Sequence, residues 1–109
     1  ASPDNIQFAV ERLYEKYNLP IMITENGVAD MNDELRKWWI QHTIVALKLS
    51  LQRGVPIIGY MHWSLLDNFE WSYGKWPRFG LVHVNYRTFE RTIRPSAKWF
   101  AGVLKKVRP

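Results

Sequence analysis

Glu25 closes a short apolar run, Ile21-Met22-Ile23-Thr24, and is followed by the turn pair Asn26-Gly27. A second apolar run from Val55 ends at His62-Trp63 and leads into Asp67, Glu70 and Trp71. In parallel α/β architectures functional groups collect at the C-terminal ends of strands. Carboxylates and indole rings gathered there suit a polyhydroxylated ligand, because rings stack on its apolar faces and carboxylates accept hydrogen bonds from its hydroxyls. Each residue also has a plainer reading. A Glu before Asn-Gly is ordinarily a turn residue, and His62 in an apolar strand is ordinarily a hydrogen-bonded core group. His42 falls on the apolar side of a helix and reads as structural, while Trp38 and Trp39 read as packing. Residue types and spacing alone leave the function open.

The elements that must position these groups follow from periodicity. Ser2-Pro3-Asp4 predicts a helix start, with a hydroxyl cap, proline at the first helical position and an acid in the first turn. Ile6, Ala9, Val10, Leu13, Tyr14 and Tyr17 recur as one apolar stripe, and Asn18 and Pro20 end it. Ile21–Thr24 is apolar on both faces, as a buried parallel strand is. Leu35, Trp38, Trp39, His42, Val45, Ala46 and Leu49 predict a second helical stripe, closed by Gly54. Val55–Trp63 is again strand-like and apolar, with Pro56 read at its first position, where a missing N–H is tolerated. An irregular, aromatic-rich stretch over Ser64–Arg78 precedes Phe79–Ile93, where Leu81, Val84 and Tyr86 suggest a small hairpin. Pro95 opens a last helix with Phe100, Val103, Leu104 and Val107 on one face. This alternation predicts an α/β fold with a parallel sheet. Two buried parallel strands would leave edges and an apolar face uncovered, so the chain reads as part of a sheet.

Composition narrows the classes. The 109 residues are 47% hydrophobic, 23% charged and 15% aromatic, with six Trp and no Cys. A packed core is within reach and a disordered tail is excluded. The missing cysteine removes disulfide scaffolds, thiol nucleophiles and cysteine metal sites. No apolar run approaches the roughly 20 residues of a membrane span, and no signal-peptide pattern opens the chain, so no membrane contact and a cytoplasmic location are expected. The net charge of +5 is uneven: seven acids oppose Arg12 and Lys16 up to residue 34, and thirteen bases oppose three acids after it. Those bases are scattered among apolar residues. They suit a solvated surface, or pairing with another part of a larger protein, better than nucleic acid.

The literal motifs say more. Ile23-Thr24-Glu25-Asn26-Gly27, then His62-Trp63-Ser64-Leu65-Leu66-Asp67-Asn68-Phe69-Glu70-Trp71, then Arg78-Phe79-Gly80-Leu81 closely resemble glycoside hydrolase family 1, the retaining β-glycosidases and β-glucosidases. The resemblance runs through Arg36, His42, Gly54 and the closing Arg94-Pro95-Ser96-Ala97 with Trp99-Phe100, a form similar to archaeal, β-mannosidase-like members. It implies a (β/α)₈ barrel of which residues 1–109 are the C-terminal segment, with strands seven and eight and helices six to eight. By resemblance Glu25 is the catalytic nucleophile. Trp63 stacks beneath the sugar, Glu70 accepts hydrogen bonds from its hydroxyls, Trp71 donates its indole N–H, and Phe79 lines the pocket wall. Glu70 favours an unphosphorylated glycoside, since the branch handling 6-phosphorylated sugars presents a serine and a lysine instead. Ser72 and Lys75 lie close by. Asn85 stands where the family commonly has Asp.

A retaining mechanism needs a second carboxyl about 5–5.5 Å from the nucleophile. In the family it comes from an Asn-Glu-Pro motif on strand four, and this chain has none. A barrel of about 250 residues or more is required. The expectation is therefore an α/β segment, incomplete alone, that acts on a β-glycoside together with a complementary N-terminal barrel segment carrying the acid/base Glu. No cofactor or metal is implied. The rival reading is a partial barrel that binds and assembles without doing chemistry.

Overall fold

The computed structural model describes residues 2–107, which fall into two compact units. The first comprises the chain up to Asn26 together with Trp38–His62, and the second comprises Gly27–Lys37 together with the chain from Trp63 onward.

In the first unit, helix α1 spans Asn5–Tyr17. It starts later than Ser2-Pro3-Asp4 suggested: Asp4 is the cap residue without a side-chain cap bond, and no acid lies in the first turn. The chain enters through tight i to i+3 bonds, Asn5 to Ser2 and Ile6 to Pro3, which is how helix ends commonly wind. Asn18 closes the helix in the left-handed region at φ 51°, its N–H donating to the Tyr14 carbonyl at 2.8 Å. Ile6, Val10 and Tyr14 form the inward stripe, whereas Leu13 and Tyr17 are exposed.

Strand β1 (Ile21–Asn26) pairs in parallel with β2 (Ile57–His62). Val10 of α1, Ile23 of β1, Val55 and Leu47 of helix α2 (Arg36–Gln52) make the core, with Ile21, Ile57 and Tyr60 against it. Part of the apolar surface of the pair is uncovered, as expected of two parallel strands that are part of a larger sheet. Met22, Ile58 and Met61 are 42%, 68% and 53% exposed.

The stripe expected on α2 is rotated. Ile40, Thr43, Ala46, Leu47 and Ser50 are buried, whereas Trp38, Val45 and Leu49 are exposed. Apolar residues occur all round this helix, so their spacing does not fix which face turns inward. Gly54, at φ +90°, supplies the positive φ that ends the helix and leads into β2.

The parallel ladder shifts register twice. Ile21 pairs with Ile57 and Met22 with Gly59, so β2 carries one extra residue, Ile58. Ile23 pairs with Tyr60 and Asn26 with His62, so β1 then carries one extra residue between Ile23 and Asn26.

The second unit contains an antiparallel hairpin, β3 (Val82–Val84) with β4 (Arg91–Ile93), and helix α3 (Pro95–Lys106). The hairpin turn is held by Asn85, whose Oδ1 accepts the N–H groups of Arg87 (3.0 Å) and Thr88 (3.4 Å), as turn-forming Asn side chains do. The centre of the unit is polar. Asp67, placed by sequence among residues near a strand mouth, is a fully buried counter-ion. It accepts from both terminal nitrogens of Arg94 (3.0 and 3.2 Å), from Arg78 (3.2 Å), and from the N–H groups of Gly80 (3.0 Å) and Val84 (3.2 Å). Burial pushes its carboxyl up, but the Arg94 hydrogen bonds and the two amides outweigh this and hold it below the usual carboxylate range.

The same unit ties two helix starts together. Asp30 Oδ2 accepts the N–H groups of Leu35 (2.8 Å) and Arg36 (2.9 Å) at the start of α2. Asp33 accepts the N–H and hydroxyl of Ser96 (2.8 and 2.6 Å) at the start of α3. Both satisfy N–H groups that have no partner within the helix. The buried Arg36 guanidinium bonds Asp33, the Asp30 carbonyl (2.5 Å) and the Arg78 carbonyl (2.7 Å).

Candidate active site

The residues singled out by sequence fall in both units, and each group is described within its own. In the first unit Glu25 is exposed near the C-terminal end of β1, which runs one residue beyond the expected end at Glu25. Among the described residues no hydrogen bond or ion pair engages its carboxylate. It lies in the stretch where β1 carries its extra residue, and bulges of this kind re-aim side chains beside functional sites.

The next residue, Asn26, is more than a turn former. Its Oδ1 accepts Trp39 Nε1–H at 2.9 Å, Thr43 Oγ1–H at 3.3 Å and Tyr60 O–H at 3.3 Å. The Tyr60 hydroxyl also lies 3.3 Å from His62 Nδ1, and burial pushes its phenol pKa up, so it stays a proton donor across the physiological range. His62 is a hydrogen-bonded, half-buried histidine, as its strand setting suggested. His42 stacks at a tilt on Trp38, with ring centroids 4.9 Å apart. In the sequence Asn26 reads as a turn residue and Trp39 as packing, and Thr43 does not stand out. The available signal was two donors spaced four residues apart on α2, hence on one side of the helix.

In the second unit Trp63 Nε1–H donates to Glu70 Oε1 at 3.1 Å, so two of the expected sugar-binding residues are brought together. A cis peptide bond links Trp63 to Ser64. Glu70 is fixed through its backbone, its N–H donating to Gly74 (2.7 Å) and its carbonyl accepting from Tyr73 (3.0 Å). Trp71, at φ 53°, begins a single 3₁₀ turn, Trp71–Tyr73, and is 84% exposed. Phe79 is half-buried, and its carbonyl accepts the Ser64 N–H at 3.2 Å. Gly27 lies against the Trp63 backbone, where a β-carbon would come within 1.8 Å of the carbonyl oxygen. Lys75 sits 5.1 Å above the Tyr86 ring. No cluster of three or more His, Cys, Asp or Glu able to hold a metal ion occurs among the described residues.

Comparison with known proteins gives these arrangements a context. The profile of glycosyl hydrolase family 1 matches residues 1–108. The chain is 43% identical over 104 residues to a β-glucosidase of Agrobacterium sp., covering 86% of the chain and 22% of that protein. It is 41% identical over 113 residues to β-glucosidase A of Thermotoga maritima, covering 94% of the chain and 25% of that protein. The solved structure of a Thermotoga maritima β-glucosidase in complex with glucoimidazole superposes with a TM-score of 0.91 at 37% identity, covering 94% of this chain and 26% of that one. The chain thus spans about a quarter of the length of the curated relatives it matches. The solved β-glucosidases are (β/α)₈ barrels, and the chain is a fragment of that fold.

Proposed function

Because the chain belongs to glycosyl hydrolase family 1, we propose that it supplies the nucleophile and part of the sugar pocket of a retaining β-glycosidase. In this reading β1 and β2 are barrel strands seven and eight, and α1, α2 and α3 are helices six to eight. A complementary N-terminal barrel segment brings the remaining strands and the acid/base Glu. The substrate is a β-linked glucoside, galactoside or mannoside.

One carboxylate oxygen of Glu25 attacks the anomeric carbon while the bond from that carbon to the aglycone oxygen breaks. The acid outside this chain gives its proton to the leaving oxygen. A glycosyl-enzyme ester results, and a water molecule, deprotonated by the same outside group, then displaces Glu25 with net retention. Trp63 offers its ring face to the sugar. Its indole N–H occupies one oxygen of Glu70 and leaves the other for ligand hydroxyls. The carboxylate of Glu70 favours an unphosphorylated sugar.

The observation that carries the reading is Glu25 itself: an exposed carboxylate near the C-terminal end of a parallel strand, with lone pairs that no described residue engages. In the complete barrel, Glu25→Ala should abolish hydrolysis of an aryl β-glycoside. Added azide should restore turnover by attacking the anomeric carbon in place of the carboxylate, releasing a glycosyl azide of inverted configuration. Turnover retained without azide would remove Glu25 as nucleophile and leave the chain as an assembly piece only.

A further inference from the structure

We propose that Asn26 is a positioning residue for Glu25, its side-chain oxygen held by Trp39, Thr43 and Tyr60 so that the carboxylate is turned away from the helices of its unit. The proposal rests on Glu25 being the nucleophile.

The argument is one of strand geometry. Alternate residues of a regular strand share a face. Ile23 belongs to the core with Val10 and Leu47, so in a regular β1 Glu25 would point into that same apolar layer. The extra residue between Ile23 and Asn26 prevents this. Tyr60 and His62, two apart on β2, share a face, and their partners Ile23 and Asn26 share it too. Asn26 therefore takes the place on the helical side that Glu25 would otherwise hold, and Glu25 is left facing the other way.

Something must hold the bulge, because its unpaired residue adds no ladder bond. Asn26 is the residue where β1 returns to register, and it is gripped from two elements: Trp39 and the fully buried Thr43 on α2, and Tyr60 on β2. A carboxamide suits this place on chemical grounds. Its oxygen accepts all three donors, whereas an apolar side chain would strand them and a carboxylate would set a second negative charge beside Glu25.

The test uses the complete barrel and four single variants. Thr43→Val and Tyr60→Phe each delete one donor at nearly constant volume, Trp39→Phe deletes one together with part of the indole's bulk, and Thr43→Ser keeps the hydroxyl. Each is measured for unfolding midpoint, kcat, KM, and the rate at which a 2-fluoro aryl β-glycoside labels the protein, with the label placed by peptide mapping. Misplacement of a reacting group by about 1 Å can lower a rate about 10²-fold. Each folded donor-deletion variant should therefore lose roughly tenfold to a hundredfold in kcat and labelling rate, with KM within about twofold. Thr43→Ser should recover most of the loss. Three separate deletions keep the test open if one of them fails to fold. Labelling of Glu25 at the parent rate in the folded deletion variants would overturn the positioning role alone. Labelling at another residue in the parent would overturn the nucleophile assignment.

Discussion

Replacing Gly27 by alanine tests how tightly the Glu25-Asn26-Gly27 motif is bound to the structure around it. A β-carbon there would lie 1.8 Å from the Trp63 carbonyl oxygen and 2.9 Å from its carbonyl carbon. Ordinary contact begins near 3.4 Å, so the two backbones must part by about 1.6 Å. The obstacle is main chain, with no rotamer to yield. Overpacking of a buried contact costs about 1–3 kcal/mol. Moving Trp63 also strains the adjoining bonds from Ser64 N–H to Phe79 and from Leu81 N–H to Ser64, at 3.2 and 2.8 Å. At about 0.5–1.5 kcal/mol each, they bring the expected destabilisation to about 2–6 kcal/mol. Gly102 in α3 is the internal comparison, since a β-carbon there meets nothing within 4 Å. Gly102→Ala should raise stability by about 0.5–1 kcal/mol. Denaturant unfolding of both variants in the complete barrel, with kcat/KM on an aryl β-glycoside, decides the matter. If Gly27→Ala keeps both the parent's midpoint and its kcat/KM, the close approach to Trp63 is refuted.

Two further substitutions probe the polar centre of the second unit. Asp67→Asn leaves Arg94 buried without its counter-charge and should cost about 3–5 kcal/mol at neutral pH. The folded pKa of Asp67 is lowered, so its contribution is fully present above the unfolded value of about 3.9 and is lost as pH falls through the lower folded value. The variant's stability should consequently fall less steeply in acid than the parent's; parallel acid limbs in a pH series of unfolding curves would contradict this. Asp33→Ala removes the acceptor for Ser96 and a counter-charge of buried Arg36. It should lose about 1 kcal/mol for the cap and about 3 kcal/mol more for the broken pair. Ser96→Ala should lose only a cap-sized increment, and equal midpoints for the two variants would separate Asp33 from Arg36.

Much of the frame was legible because it depends on local chemistry. The Ile6-Val10-Tyr14 stripe, the closure at Asn18, the parallel runs and the hairpin before Pro95 all follow from spacing and turn residues. What escaped depends on contacts distant in sequence. The face of α2 could not be read, because apolar side chains surround the helix and the buried row includes Thr43 and Ser50. The bulge at Glu25 leaves no mark in the alternation of Ile21-Met22-Ile23-Thr24, since it is fixed from outside the strand by Trp39, Thr43 and Tyr60. Asp67 looked like a neighbour of Glu70 because the two are close in sequence. Its partner Arg94 is 27 residues away, and nothing in the spacing links them. Resemblance named Glu25, Trp63 and Glu70, and the contact between Trp63 and Glu70 emerged only in three dimensions.

The two register shifts of the parallel pair have a consequence for barrel closure. The first adds a residue to β2 and the second adds one to β1, so Asn26 and His62 meet at the same offset as Ile21 and Ile57. Closure of a barrel depends on the total stagger accumulated around the ring, its shear. Two distortions of opposite sense contribute nothing to that total. The strand can be deformed beside Glu25, the proposed nucleophile, and the neighbouring strands inherit the stagger of a regular pair.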